Sequence, residues 1–287
     1  MIFVIKNQLK TTVLLACLTA LLLFVGNLLG GYAGLIIGLA FAIIVNFGAY
    51  FFSDRIVLAM YHARPVSQKE EPDLHKIVKE ITHLAGLPMP KLYIIPTETP
   101  NAFATGRNPT HAAVACTEGI LKLLTKDELR GVLAHEVSHI KNRDILVQTV
   151  AATIAGVISY IATMAQWAAI FGGFGGRDNE RGGNLISLLV LAILTPIIAM
   201  IIQLAISRSR EYLADETGAK TIKDPHALAS ALAKLEQGVK QQPLRFGNPT
   251  TASLFIVNPF SAKGLTGLFS THPPMEKRIA RLKGMKV

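Results

Sequence analysis

Between residues 11 and 53 the chain carries no charged side chain. As one straight helix that run would be about 65 Å long at ~1.5 Å per residue, against a bilayer hydrocarbon core about 30 Å thick. Two spans fit better, over residues 12–29 and 33–52, with the chain turning at Gly30-Gly31. A cleaved signal sequence is the rival reading of the first span, but the run is too long for one and a second span follows at once. Two further uncharged stretches, 145–176 and 182–207, predict helical spans at 145–171 and 185–206, the last kinked at Pro196. Composition agrees: only 17% of residues are charged and 51% are hydrophobic, where soluble domains hold about 25% charge.

The formal net charge is +10. No helix-turn-helix, zinc-finger or RNA-binding signature accompanies it, so no nucleic-acid partner is expected. The basic residues cluster at span ends instead. Lys6, Lys10, Arg55, Arg64, Lys141, Arg143, Arg208 and Arg210 flank one side of the membrane. The other side has an uncharged turn and a loop, 172–183, whose only cations are Arg177 and Arg181. Positive-inside bias therefore puts the N-terminus, residues 54–144 and residues 207–287 in the cytoplasm. The predicted organisation is a membrane hairpin (1–53), a first water-soluble segment (54–144), a second membrane hairpin (145–206) and a second water-soluble segment (207–287). Cys17 and Cys116 suggest no disulfide framework and fit a reducing compartment.

In the water-soluble segments, residues 72–85 have helical apolar spacing, and 91–95 and 111–116 look like short strands. A loop between the strands encloses a shorter one at 102–104. Thr125 followed by Glu128 is a capping box that starts another helix.

That helix carries His135-Glu136-Val137-Ser138-His139. Residues four apart on a helix share a face, so two imidazoles at this spacing can hold one zinc ion. Glu136 is rotated about 100° from His135 and can act as general base on water without ligating the metal. Zinc needs a third protein ligand. The other histidines lie scattered, and none follows the motif closely. Glu211 and Asp215, four apart on a predicted helix, are better placed: one carboxylate could bind zinc while the other orients a ligating histidine. A solvated face of alternating charge is the rival reading of that pair.

The sequence resembles the HtpX family of bacterial membrane zinc proteases, which are related to the CAAX prenyl proteases of eukaryotes. The resemblance covers nearly the whole chain and includes the N-terminal hairpin. It also takes in residues 101–106 (Asn-Ala-Phe-Ala-Thr-Gly), the His135–His139 motif, Glu211 with Asp215, and Thr271-His272-Pro273-Pro274 with Arg278. It implies four transmembrane helices with a cytoplasmic α+β, zincin-like (gluzincin) protease domain carrying a small β-sheet. It further implies one Zn2+ per chain on His135, His139 and Glu211, with Glu136 as base, in a bacterial inner membrane. The implied substrates are damaged or misassembled membrane proteins, degraded under stress.

Two weaker expectations concern the substrate. Asn101, Ala102 and Phe103 could form an edge strand that pairs with an extended peptide, or belong to an ordinary loop. His272 could stabilise an oxyanion, or simply precede a helix; Arg278 has no assigned role. The enzymatic alternative is cleavage within the bilayer. It is disfavoured because Lys126, Asp127, Glu128, Arg130, Lys141, Arg143 and Asp144 surround the histidines. A scaffold or transporter with an incidental motif would tend to carry ionisable residues inside its spans, and these spans hold none.

Overall fold

The computed structural model describes residues 2–172, 208–247, 249–260 and 273–287. The predicted span at 185–206, the loop at 173–183 and His272 lie outside the described residues.

The first element, α1 (Ile2–Phe51), carries no charge beyond Lys10 and folds back on itself at Gly31, whose φ of 55° lies in the left-handed region. The two halves pack through small residues: a Cβ added at Gly34 would fall 2.0 Å from the Gly26 carbonyl oxygen. Asn46 Nδ2 ties them further, donating to Thr19 Oγ1 at 2.7 Å and to the Leu15 carbonyl at 3.3 Å. The halves Asn7–Asn27 and Gly31–Phe51 are each long and apolar enough to cross a membrane. The hairpin therefore turns where the paired glycines predicted, with its first helix starting earlier than residue 12. Ile37 and Ile44 are 69% and 68% exposed, a surface that water would not favour.

A short helix, α2 (Ser53–Met60), leads into a mixed four-stranded sheet. Its strands are β1 (Arg64–Pro65), β2 (Lys91–Ile95), β3 (Ala102–Gly106) and β4 (Ala112–Thr117), in the order β1-β2-β4-β3. β2 and β4 are parallel; β3 runs antiparallel to β4 and forms one edge. β3 is two residues longer than the 102–104 expected, because Gly106 (φ 130°) lets the chain turn where a Cβ would meet the His111 carbonyl at 2.2 Å. Alternate residues serve two cores. Ala102, Ala104, Val114 and Cys116 face helices α3 (Pro72–Ala85) and α5 (Lys126–Lys141); Phe103, Ala113 and Ala115 face α2 and Tyr61.

Helix α4 (Glu118–Leu123) precedes α5, and α6 (Ile145–Gly172) follows it after a tight turn. The start of α6 packs Val147, Val150, Ala151 and Ile154 on Leu14, Leu18 and Ala49 of α1. Helices α7 (Arg208–Ile222), α8 (Pro225–Gln241) and α9 (Met275–Lys283) complete the α-helices among the described residues. Close helix crossings bring the site together. A Cβ at Gly218 would lie 3.0 Å from the Ala134 carbonyl, and one at Gly131 would lie 2.6 Å from the Leu228 amide. Bulkier residues would push α7 and α8 off α5.

Candidate active site

Helix α5 starts at the predicted capping box: Thr125 Oγ1 accepts from the Glu128 amide, and Glu128 Oε2 accepts from the Thr125 amide. Glu128 also accepts from Ser230 at 2.7 Å and Lys234 at 2.8 Å, which pins the helix start to α8. Three turns on, His135 and His139 are buried on one face, with their Nε2 atoms 3.1 Å apart.

The end of α5 is built by Arg143, whose φ of 61° is left-handed. Its amide donates to the Ile140 carbonyl, and the Asp144 amide donates to the His139 carbonyl. These two bonds are a Schellman closure, with arginine where glycine is usual. The closure seats Asp144 beside the helix it ends, with Oδ2 3.1 Å from His139 Nδ1. On the other imidazole, His135 Nδ1 lies 2.9 Å from Asp215 Oδ1.

Glu211 enters from α7. Its Oε2 lies 3.7 Å from His135 Nε2 and its Oε1 lies 3.7 Å from His139 Nε2. The ligand atoms of the three residues fall within 4.8 Å of one another. The donor chemistry fits a cation. Each Nδ1 faces a carboxylate and so carries its proton there, which turns both Nε2 atoms toward one another with either a proton on His139 or a metal ion to lie between them. Nitrogens near 3.1 Å apart repel unless a positive centre lies between them, and tetrahedral Zn–N bonds of roughly 2.0–2.1 Å place nitrogens about that far apart.

Glu136 is 1% exposed and faces the Ala104 amide of β3, which favours its charged form. Burial pushes its carboxyl up to about 8, with the charge of Glu211 adding and His139 opposing. Burial by itself would lower His139, but Asp144, Glu211 and Glu136 outweigh it and raise the imidazole to about 10. His135 is lowered, chiefly by burial.

Arg278 on α9, with no role assigned from sequence, is fully buried. Its Nε and Nη2 donate to Asp215 Oδ2 and Oδ1 at 2.9 and 2.7 Å, and its Nη1 donates to the Ile256 carbonyl at 3.1 Å. Burial would raise the Asp215 carboxyl, but the guanidinium overrides it and holds the acid at about 2. The support for His135 is therefore a relay, Arg278 to Asp215 to His135.

The structure thus brings His135, His139 and Glu211 together, puts Asp215 under His135, and turns Glu136 toward β3. It places residues 101–103 differently from a peptide-binding surface. Asn101 is fully buried, and its Nδ2 donates to the Val257 carbonyl at 2.6 Å. The Ala102 carbonyl already accepts from the Ile256 amide at 3.2 Å. Phe103 stacks among Tyr61 and Phe255, with centroids at 5.9 and 5.1 Å. These three residues anchor the edge strand, whereas Ala104 is what faces the site. Sequence reasoning missed Asp144; its signal was an acid five residues past a ligating histidine, just beyond the helix end.

Two buried imidazoles, a carboxylate from a second helix and a further acid beside them define the class: a metallopeptidase. Comparison with known proteins agrees. The family model "Peptidase family M48" matches residues 68–286, and the chain belongs to that family. A protease HtpX homolog of Syntrophobacter fumaroxidans is 56% identical over 282 residues, spanning 97% of this chain and 99% of that protein. A protease HtpX homolog of Pyrococcus furiosus is 56% identical over 275 residues, spanning 96% and 94%. The resemblance read from the motifs is thus the family found. The fold is shared with the crystal structure of S. mikatae Ste24p, at a TM-score of 0.51 and 19% identity. That match covers 98% of this chain and 66% of the other.

Proposed function

We propose that the chain is a membrane-anchored zinc endopeptidase that cuts exposed segments of damaged or misassembled membrane proteins under stress. In this reading it sits in the bacterial inner membrane through four spans. The hairpin at 1–53 and the second hairpin at 145–206 flank a protease domain made of 54–144 and 207–287, on the cytoplasmic side. The observation that carries the reading is the convergence of His135, His139 and Glu211 at the end of α5, where the chain passes at once into the apolar helix α6.

His135, His139 and Glu211 would hold one zinc ion, which when bound supplies a Lewis-acid centre that polarises water and the scissile carbonyl. Asp215 and Asp144 keep the Nδ1 protons in place, so both Nε2 atoms stay available as donors. Glu136 takes the proton of the attacking water on its carboxylate and returns it to the departing amine nitrogen. A carboxyl whose proton affinity burial has raised toward neutrality suits that exchange. An extended substrate would lie along the outer edge of β3 at residues 104–106, with 101–103 as the fixed end of the strand. His272 remains the candidate oxyanion stabiliser. The site's place at the end of a charged helix favours cleavage of cytoplasmic loops over cleavage within the bilayer.

Treating the detergent-purified protein with a chelator should abolish cleavage of unfolded casein, and one equivalent of zinc should restore it. Cleavage that survives complete metal removal would end the zinc reading.

A further inference from the structure

Beside the protease site, at the base of the hairpin, lies a cavity of about 510 Å³. The start of α1 and the end of its second half form two walls. The exit from β3 and the α5–α6 turn form the others. We propose that this cavity binds the phosphate headgroup of an anionic phospholipid. The inference rests on the membrane placement proposed above.

Charge is the first argument. Two guanidiniums, Arg107 and Arg143, line the cavity, and among the described residues no acidic side chain does. Among the described residues neither arginine forms an ion pair. Arg107 lies over the Phe51 ring, 5.5 Å from its centroid, which leaves its N–H edge available. The Arg143 backbone is held in its left-handed turn by Asn7, whose Nδ2 donates to the Arg143 carbonyl at 3.0 Å, and its side chain stays exposed at the cavity. Two neighbouring arginines are a phosphate's preferred partners.

Shape and depth decide between a lipid and a free ion. The lining also includes the apolar side chains of Leu15, Ile145 and Leu146. Leu15 is eight residues beyond Asn7, so it lies about 12 Å further into the span at ~1.5 Å per residue. Tyr50, exposed at the end of the second half, also lines the opening, as interfacial aromatics do. A cavity with cations at the water end and leucines at the membrane end matches an amphiphile. At about 510 Å³ it is far larger than a phosphate ion and within the ~300–1,000 Å³ of ordinary ligand sites.

The site also borders the catalytic machinery. Arg143 and Asp144 are consecutive in one turn, and Asp144 holds His139. A lipid that orders Arg143 stabilises the turn on which the His139 contact depends.

The test uses the full chain, stripped of lipid in a neutral detergent and melted with phosphatidylglycerol or phosphatidylcholine in mixed micelles. Phosphatidylglycerol should raise the wild-type melting temperature; phosphatidylcholine and inorganic phosphate should not. The Arg107→Gln/Arg143→Gln pair should lose at least tenfold in apparent lipid affinity. Lys76→Gln/Lys79→Gln, which removes the same charge from α3, should respond as wild type does. No wild-type shift, an equal shift in the Arg107→Gln/Arg143→Gln protein, or an equal shift with inorganic phosphate would each overturn the proposal. If the glutamine pair does not fold, Arg107→Lys/Arg143→Lys should keep the response, and wild type should retain about one phosphatidylglycerol per chain through detergent exchange; absence of either refutes it. Failure of the membrane placement would look different: the protein would leave carbonate-washed membranes for the supernatant.

Discussion

Replacing Arg278 by methionine removes the only cation that pairs with Asp215 among the described residues and leaves that acid, 2% exposed, beside His135. The cost can be bounded in two ways. Breaking a buried ion pair by removing one partner costs roughly 3–5 kcal/mol, because a charge is stranded out of water. Independently, Asp215 is held at about 2 against an ordinary 3.8, which is about 2.5 kcal/mol at 1.36 kcal/mol per unit. Loss of the Ile256 contact adds to the second figure, so the two agree on about 3 kcal/mol. In a domain of this size that lowers the melting temperature by roughly 6–12 °C. Arg278→Lys keeps a charge but loses the two-pronged grip, and should lose about half as much. The informative comparison is the double variant Arg278→Met/Asp215→Asn. Removing the stranded charge should recover most of the lost stability, while an amide at 215 still accepts from His135 Nδ1. Differential scanning fluorimetry in detergent reads all four proteins. Wild-type melting of Arg278→Met, or a double variant no more stable than the single, would refute the buried-charge reasoning.

Three other outcomes follow from the geometry. Asp144→Ala frees His139 Nδ1 and should weaken zinc binding about 10–100-fold in a chelator competition; unchanged affinity would remove Asp144 from the site. Gly34→Val places a side chain against the Gly26 carbonyl and should lower the melting temperature by several degrees, whereas Gly48→Ala, with nothing within 4 Å of the added carbon, should not; equal behaviour would mean the hairpin halves do not pack as described. In the metal-free protein, the folded values for Glu136 and His139, about 8 and about 10, exceed their ordinary 4.5 and 6.5. Folding then binds protons, so this contribution is complete below the ordinary values and is lost as pH rises through the folded ones. His135, lowered by burial, contributes in the opposite sense and is complete above 6.5, so melting temperature without metal should fall from about pH 6.5 to 10, and the increment added by zinc should grow as protons cease to compete for His139; a zinc increment that shrinks with rising pH would contradict the assignment.

The hairpin and α5 were legible because each rests on a local pattern: an uncharged run split by paired glycines, and a capping box ahead of an apolar face. Glu211 and Asp215 could be nominated from their spacing, but not ranked, because four-residue spacing on a helix does not say which carboxylate meets a metal. Asp144 escaped because its position depends on an arginine in a left-handed turn, where the sequence shows none of the glycine that marks such closures. Arg278 looks like any cation near a chain end; only tertiary contact with Asp215, 63 positions away, makes it a buried support. The edge-strand reading found β3 but shifted its role. Burial of Asn101 and Phe103 is decided by residues 255–257, which come from a Pro/Gly-rich connection with no readable periodicity.

The central claim is one metal centre assembled from two helices far apart in sequence, with a separate acid doing the proton transfer. Zinc content and casein cleavage of three detergent-purified proteins test it together. Wild type should hold about one zinc per chain and cleave. Glu136→Gln should hold the same zinc and lose cleavage by a factor on the order of 1,000 or more, and Glu211→Gln should lose both. Full zinc occupancy in Glu211→Gln, or wild-type cleavage by Glu136→Gln, would contradict the account.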